Sequence, residues 1–219
     1  GCIDTADVIV TEPVSLIASA LDSSAATCNG GDNGSAVVGG SGGTLPYTYW
    51  WDDAVNQENA TAVNLLGGVY RAAVIDVNGC SDTVLVTVEE PDLMTPNDSL
   101  VTPSCNGVCD GFISLDLRGG TKGSGYIHSW NVASTDTFLL DICAGTYVDT
   151  VTDGAGCLDT FTFIVTEPDS LQAIITDTTD VVCSYSTNGQ AIVTPTGGTP
   201  GFAYNWYDAG GDLDSVASG

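Results

Sequence analysis

The stretch Gly42-Gly43-Thr44-Leu45-Pro46-Tyr47-Thr48-Tyr49-Trp50-Trp51 decides the fold. Its first half reads as a turn, because Gly accepts positive φ and Pro pre-sets its own φ. Its second half is rich in aromatic and β-branched residues, which suit a half-buried strand. The two-residue period of a strand places Tyr47, Tyr49 and Trp51 on one face. The stretch returns twice: Gly119-Gly120-Thr121 leads to Tyr126, His128 and Trp130, and Gly197-Gly198-Thr199 leads to Phe202, Tyr204 and Trp206. Such recurrence within one chain signals a repeat architecture.

Other landmarks keep the same order. Thr11-Glu12-Pro13, Glu89-Glu90-Pro91 and Thr166-Glu167-Pro168 fall 78 and 77 residues apart. Cys2, Cys80 and Cys157 follow this period, each after a Gly, and Cys28, Cys105 and Cys183 follow it as well. Asn33-Gly34, Asp110-Gly111 and Asn188-Gly189 each open a strand-like run, and Gly-x-Tyr recurs at Gly68 to Tyr70 and Gly145 to Tyr147. The expected organisation is the C-terminal strand of one repeat (1–13), two whole repeats (14–91 and 92–168) and the N-terminal part of a further one (169–219). Both ends fall inside a repeat, so the natural protein is expected to be longer.

The 219 residues include 28 acidic and three basic ones (Arg71, Arg118, Lys122), a formal net charge of -25. That argues against nucleic acid, which needs clustered Lys and Arg, and against an anionic membrane surface. Hydrophobic residues at 43% supply a core and argue against disorder. The acids are 23 Asp against five Glu, beside 27 Gly, which favours turns over helices and points to an all-β chain. No run approaches the ~20 apolar residues of a membrane helix, so no membrane insertion is expected in this segment. Eight Cys suit an oxidising, extracellular setting. They lack the paired spacing of a zinc site.

Each repeat reads as a small two-sheet sandwich. In the first, strands are expected at Leu16–Ala20 (A), Ser35–Val38 (B), Tyr47–Trp51 (C), Ala62–Leu65, Tyr70–Asp76 (F) and Thr83–Val88 (G). About seven short strands between Gly and Asn turns indicate tandem immunoglobulin-like sandwiches arranged head to tail. Asn78-Gly79 is a hairpin signal between F and G. Tyr70 and Tyr147 stand where a tyrosine corner would begin strand F, and Trp51, Trp130 and Trp206 are the expected core aromatics.

The order Cys, Asn-Gly, Gly-Gly-Thr-x-Pro-Tyr-x-Tyr-x-Trp, Gly-x-Tyr, Asn-Gly-Cys, Thr-Glu-Pro resembles the SprB repeat of Bacteroidota secreted surface adhesins. The first repeat follows it nearly throughout. The second departs, with Lys122-Gly123-Ser124-Gly125 in place of the Pro-containing turn. The resemblance implies large cell-surface adhesins, gliding-motility filaments among them, exported by the type IX pathway. It implies no enzymatic activity.

The assumed strand order also bears on the cysteines. Cys28 lies in the A–B turn at one pole of its sandwich and Cys80 beyond the F–G turn at the other. Strands of 8–10 residues separate those poles by ~25–35 Å, whereas a disulfide needs Cα atoms within about 7 Å. The expectation is therefore a Cys28–Cys157 bridge between neighbouring repeats and a Cys109–Cys143 bridge within the second. Cys2, Cys80, Cys105 and Cys183 are expected to pair outside these residues or across subunits.

His128 is the only histidine and occupies the slot of Tyr49 and Tyr204, which favours a packing role. With no second His and no nucleophile elbow, no hydrolase is expected. Calcium is the one cofactor candidate, through Glu90, Asp92 and Asp153 gathered at a junction. The plainer account is that acidic side chains keep exposed repeats solvated and apart. Thr5, Thr83, Ser99, Thr150, Ser170 and Ser215 follow Asp and precede an aliphatic or small residue, a pattern resembling the O-glycosylation site of Bacteroidota. The expected function is a structural segment of an extracellular filament or adhesin, partnered by neighbouring repeats of its own chain or by identical filaments. The alternatives are a carbohydrate-binding module using Trp50 or Tyr207 as a platform, and spacer domains attached to a secreted enzyme.

Overall fold

A computed structural model describes residues 2–123, 125–184 and 188–207, and the backbone of 216–218. All of its elements are strands. The first repeat contributes β1 (Ile17–Ser24), β2 (Gly34–Ser41), β3 (Thr48–Trp51), β4 (Thr61–Leu65), β5 (Gly68–Ile75) and β6 (Ser81–Val88). They form two three-stranded sheets, β1-β2-β4 and β3-β5-β6, which is the A-B-E and C-F-G division of an immunoglobulin-like sandwich.

The second repeat runs through β7 (Thr95–Val101), β8 (Gly111–Arg118), β9 (Ile127–Trp130), β10 (Phe138–Ile142), β11 (Gly145–Thr152) and β12 (Leu158–Val165). Its sheets are β7-β8-β10 and β9-β11-β12. The third begins with β13 (Gln172–Thr179), β14 (Gln190–Thr196) and β15 (Val216–Ser218) in one sheet. By compactness the chain divides into two units. The first is 1–95 with 118–126 and 152–157; the second is 96–117 with 127–151 and 158–219.

Alternation does the packing. In β2 and β8 every second residue is buried, so Ala36 and Val38, then Ile113, Leu115 and Leu117, face the opposing sheet. In the first repeat they meet Trp51, Ala62, Leu65, Ala72, Val86 and Val88 in one cluster. Trp51 is fully buried; at ~25 cal/mol per Å² and about 200 Å² for its side chain, it contributes about 5 kcal/mol. Its indole N–H is satisfied by Asn59 O at 2.8 Å, as that of Trp130 is by Asp136 O at 2.8 Å. Trp130 is buried in turn, while Trp206 is half-buried. Tyr70 and Tyr147 are half-buried, and their hydroxyls donate to Leu66 O and Cys143 O, each at 3.0 Å, closing a tyrosine corner in both repeats.

Two features differ from the sequence reading. Each complete sandwich has six strands rather than about seven. In the first repeat, residues 52–60 are consumed by a turn in which Asp53 accepts from Gln57 N at 2.8 Å and Gln57 Nε2 at 3.0 Å, leaving no length for a D strand. Residues 2–16 carry no strand either.

The recurrent Gly-Gly has a steric cause. A Cβ on Gly42 (φ 78°) would lie 2.1 Å from Ser15 O, and one on Gly119 (φ 83°) would lie 2.0 Å from Leu93 O. The turn presses backbone to backbone against the entry of strand A, and the next amide donates there: Gly43 N to Val14 O at 2.6 Å, Gly120 N to Asp92 O at 2.7 Å. Only Gly fits, by both φ and contact.

Candidate functional site

The residues that recur outside the core converge on the two poles of each repeat. At one pole is the A–B turn. Asn33 accepts from Thr27 N at 2.9 Å and donates to Thr27 Oγ1 at 2.7 Å, closing a loop that carries Cys28 at its tip. In the second repeat Asp110 accepts from Ser104 N at 2.8 Å and Ser104 Oγ at 2.6 Å, and the loop carries Cys105. In the third, Asn188 accepts from Val182 N at 3.3 Å beside Cys183. This is the job of the Asn/Asp before each strand B, an Asx side chain standing in for a backbone turn.

The same turn grips the linker to the next repeat. Asn29 Nδ2 donates to Pro91 O at 3.0 Å and Gly30 N to Glu90 Oε2 at 2.7 Å. One period on, Asn106 Nδ2 donates to Pro168 O at 3.2 Å and Gly107 N to Glu167 Oε2 at 2.8 Å. The Glu-Pro signature is therefore a tethered linker, fixed by a charge-assisted bond as well as by proline.

At the other pole a buried aspartate organises the F–G hairpin. Asp76 accepts from Asn78 N at 3.0 Å and Cys80 N at 2.9 Å through one oxygen, and from Thr44 N at 2.9 Å through the other. Asp153 repeats this with Ala155 N and Cys157 N, both at 2.9 Å, and Thr121 N at 2.7 Å. Burial works against ionisation of both carboxyls. The amides of Thr44, Cys80 and Asn78, and those of Thr121, Cys157 and Ala155, outweigh it and hold each below its ordinary value. Each clamp joins the Gly-Gly-Thr turn to the cysteine-bearing hairpin. The recurring Asp-x-x-Gly-Cys at Asp76–Cys80 and Asp153–Cys157 was the available signal for it.

Within the first unit the two kinds of pole meet covalently. Cys28 and Cys157 form a disulfide with Cα atoms 5.7 Å apart across 129 residues of sequence. Cys157 Sγ also lies 3.4 Å from Thr27 O. In the second unit Cys109 and Cys143 form a disulfide across 34 residues, with Cα atoms 4.0 Å apart. Cys2, Cys80 and Cys105 are exposed free thiols, and Cys183 is exposed.

The three calcium candidates are not brought together as a cluster of ligands. Among the described residues no three His, Cys, Asp or Glu side chains gather to hold a metal ion, and Glu90, Asp92 and Asp153 do not do so. The Asp153 oxygens accept from backbone amides, and Glu90 accepts from Gly30 N through Oε2. His128 is buried with Asp149, Nδ1 to Oδ2 at 2.6 Å, away from any solvent-borne substrate. Thr5, Thr83, Ser99 and Ser170 are exposed, Thr150 is half-buried, and Ser215 lies outside the described residues. Trp50 and Tyr207 are exposed. No helix of the described residues is long and apolar enough to cross a membrane.

Paired three-stranded sheets, tyrosine corners and a bridge between poles define a protein of tandem immunoglobulin-like sandwich repeats with disulfide cross-links. The family model of the SprB repeat matches residues 21–56 and 175–211, corresponding parts of the first and third repeats. The chain carries SprB repeats in those two stretches. No curated protein sequence matches it. Among solved structures it is similar to a C-terminal 282-residue fragment of intimin in complex with the translocated intimin receptor's intimin-binding domain, at 14% identity and TM-score 0.36, covering 74% of this chain and 67% of that one. It is also similar to Sidekick-1 immunoglobulin domains 1–5, at 10% identity and TM-score 0.35, covering 95% of this chain and half of that one.

Proposed function

We propose that these repeats are a structural segment of a long extracellular filament or adhesin at the cell surface, providing reach and mechanical continuity. The Cys28–Cys157 bridge carries the reading: it ties the A–B turn of one repeat to the F–G hairpin of the next, and a disulfide persists where the surroundings are oxidising. Repeats 14–91 and 92–168, with parts of two more at 1–13 and 169–219, then act as beads in an array whose partners are its own neighbours. The family resemblance supports gliding-type adhesins exported by the type IX pathway. A net charge of -25 keeps neighbouring filaments apart by repulsion.

Force spectroscopy on the oxidised chain tests this. Pulling from the termini with the bridge intact hides the 129 residues it encloses; reduction should then release about 450 Å of extra contour length, at ~3.5 Å per extended residue. Equal lengths before and after reduction would refute mechanical continuity through the bridge. The carbohydrate-binding alternative rests on Trp50, 39% exposed, where the second repeat has Ser129. Glycan-array binding lost on Trp50→Ala would establish it in place of the filament reading.

A further inference from the structure

Cys105 stands one period after Cys28 in a setting built the same way. Asp110 closes its turn as Asn33 closes that of Cys28, and Asn106 and Gly107 grip Glu167-Pro168 as Asn29 and Gly30 grip Glu90-Pro91. The difference is that Cys28 is bonded to a hairpin cysteine and Cys105 is an exposed thiol.

Two independent observations identify what would face that thiol. First, Thr199 Oγ1 donates to Ser104 O at 2.9 Å, on the residue just before Cys105. Thr199 ends the third repeat's Gly-Gly-Thr turn. In both complete repeats that threonine is bound to the F–G hairpin by two backbone contacts. Thr121 N donates to Asp153 Oδ2 at 2.7 Å and Thr121 O accepts from Gly154 N at 2.7 Å; Thr44 N donates to Asp76 Oδ2 at 2.9 Å and Thr44 O accepts from Val77 N at 3.2 Å. A hairpin attached to Thr199 in this manner arrives beside Ser104 and Cys105. The first unit shows the same approach, with Cys157 Sγ 3.4 Å from Thr27 O, the counterpart of Ser104 O.

Second, the third repeat has an apolar cleft of about 320 Å³ lined by Leu171, Ile175, Val193, Phe202, Tyr204 and Trp206. Val193, Tyr204 and Trp206 correspond to Val38, Tyr49 and Trp51, which in the first repeat pack inward around Ala72, Val86 and Val88 of strands F and G. The cleft is apolar, as the seat of strands F and G is in the first repeat.

We propose that Cys105 forms a disulfide with the F–G hairpin cysteine of the repeat that opens at residue 169, one period after Cys157. The hairpin seats in the apolar cleft. By the same symmetry Cys80 is the hairpin half of the junction with the preceding repeat, its partner an A–B-turn cysteine equivalent to Cys28. Closing the Cys105 bridge forms one S–S bond from two thiols. The two protons and two electrons pass to an external disulfide, of protein or low molecular weight, which becomes two thiols. Every junction is then stapled alike, which deepens the filament reading.

The test is peptide mapping of the natural, full-length protein, alkylated without reduction and cleaved with pepsin, since Lys and Arg are scarce. The expected product links the Cys105 peptide to one carrying the hairpin cysteine of the third repeat. Recovery of Cys105 alkylated, or linked to Cys183, or linked to Cys80 of a second copy, would overturn the proposal. As a second measurement, Cys105→Ser should free one further thiol to maleimide, on that hairpin peptide; no new labelled site sinks the idea. The map is independent of where the protein resides, so the filament reading can fail in force spectroscopy while the staple stands.

Discussion

The two complete repeats share a frame and differ at its centre. Strand β3 carries Tyr49 opposite a strand β5 that contributes the fully buried Ala72. In the second repeat the matching positions hold His128 and Asp149, both buried. A phenol and a methyl have become an imidazole and a carboxylate. The exchange is tolerated because both partners changed together: Asp149 meets His128 Nδ1 at 2.6 Å with one oxygen and accepts from Ser129 N at 2.9 Å with the other. Packing was adjusted in parallel. Phe163 stands where the first repeat has Val86, and its ring lies 5.7 Å from that of Trp130. The second repeat also has Cys109–Cys143 where the first has Asp32 and Leu66. The invariant parts are therefore the tryptophan, the tyrosine corner and the polar clamps, whereas the central slot accepts a polar pair when neither member is left unpartnered.

Removing what joins the repeats should have the largest effect. Replacing Cys28 and Cys157 by Ser deletes a bridge across 129 residues, about 5 kcal/mol on the loop-entropy account. Calorimetry should then show transitions of the two repeats that are separable, and their difference becomes measurable. A single unshifted transition would show that the bridge couples nothing.

The central slot comes next. Asp149→Ala strands a buried imidazole and should cost about 3–5 kcal/mol. His128→Tyr combined with Asp149→Ala installs the first repeat's pair and should recover most of that loss. If Asp149→Ala alone were neutral in denaturant unfolding, the pair would not be the determinant of the second core.

These differences also mark how far the sequence could be read. The strand order was legible because Gly-Gly-Thr, the alternating aromatics and Gly-x-Tyr recur at fixed spacing, and the turn glycines have a steric reason to recur. The buried His128–Asp149 pair was half legible. Repeat alignment put His128 in an aromatic slot, but Asp149 looked like one more surface carboxylate among 23 aspartates, because its partner lies on another strand. The clamp made by Asp153 was hidden for the same reason. In a chain this acidic a carboxylate near a junction resembles a cation ligand, and only the placed amides of Thr121, Ala155 and Cys157 reveal that it organises the hairpin. The D strand was over-counted because sequence alone does not show that Asp53 folds the C–E connection back on Gln57.

A smaller effect should separate the repeats by their own bridges. Converting both Cys109 and Cys143 to Ser opens a 34-residue loop, about 3–4 kcal/mol by the same account. The loss should be confined to the second repeat, seen as faster amide exchange in β8 and β10 with β2 and β4 unchanged. Equal acceleration in both repeats would deny that the bridge is local.

The smallest expected effect is in the hairpin clamps, and it is a matter of pH. The Asp76 and Asp153 carboxyls are both held below their ordinary value in the folded chain. A depressed folded pKa contributes stability that is present above the unfolded value and lost as pH falls through the folded one, so the loss should set in below about pH 4. Asp76→Asn and Asp153→Asn should each flatten that dependence, since an amide keeps one acceptor but turns its NH₂ toward a backbone N–H. The two should still differ. Within these 219 residues the Asp153 hairpin is secured by Cys157 to Cys28, whereas the Asp76 hairpin ends in the free thiol of Cys80. Amide exchange at Asn78 and Cys80 should accelerate more in Asp76→Asn than exchange at Ala155 and Cys157 does in Asp153→Asn. Reducing the Cys28–Cys157 bridge should erase the gap; a gap that persists would locate it in the hairpin sequences, Val77-Asn78 against Gly154-Ala155, rather than in the bridge.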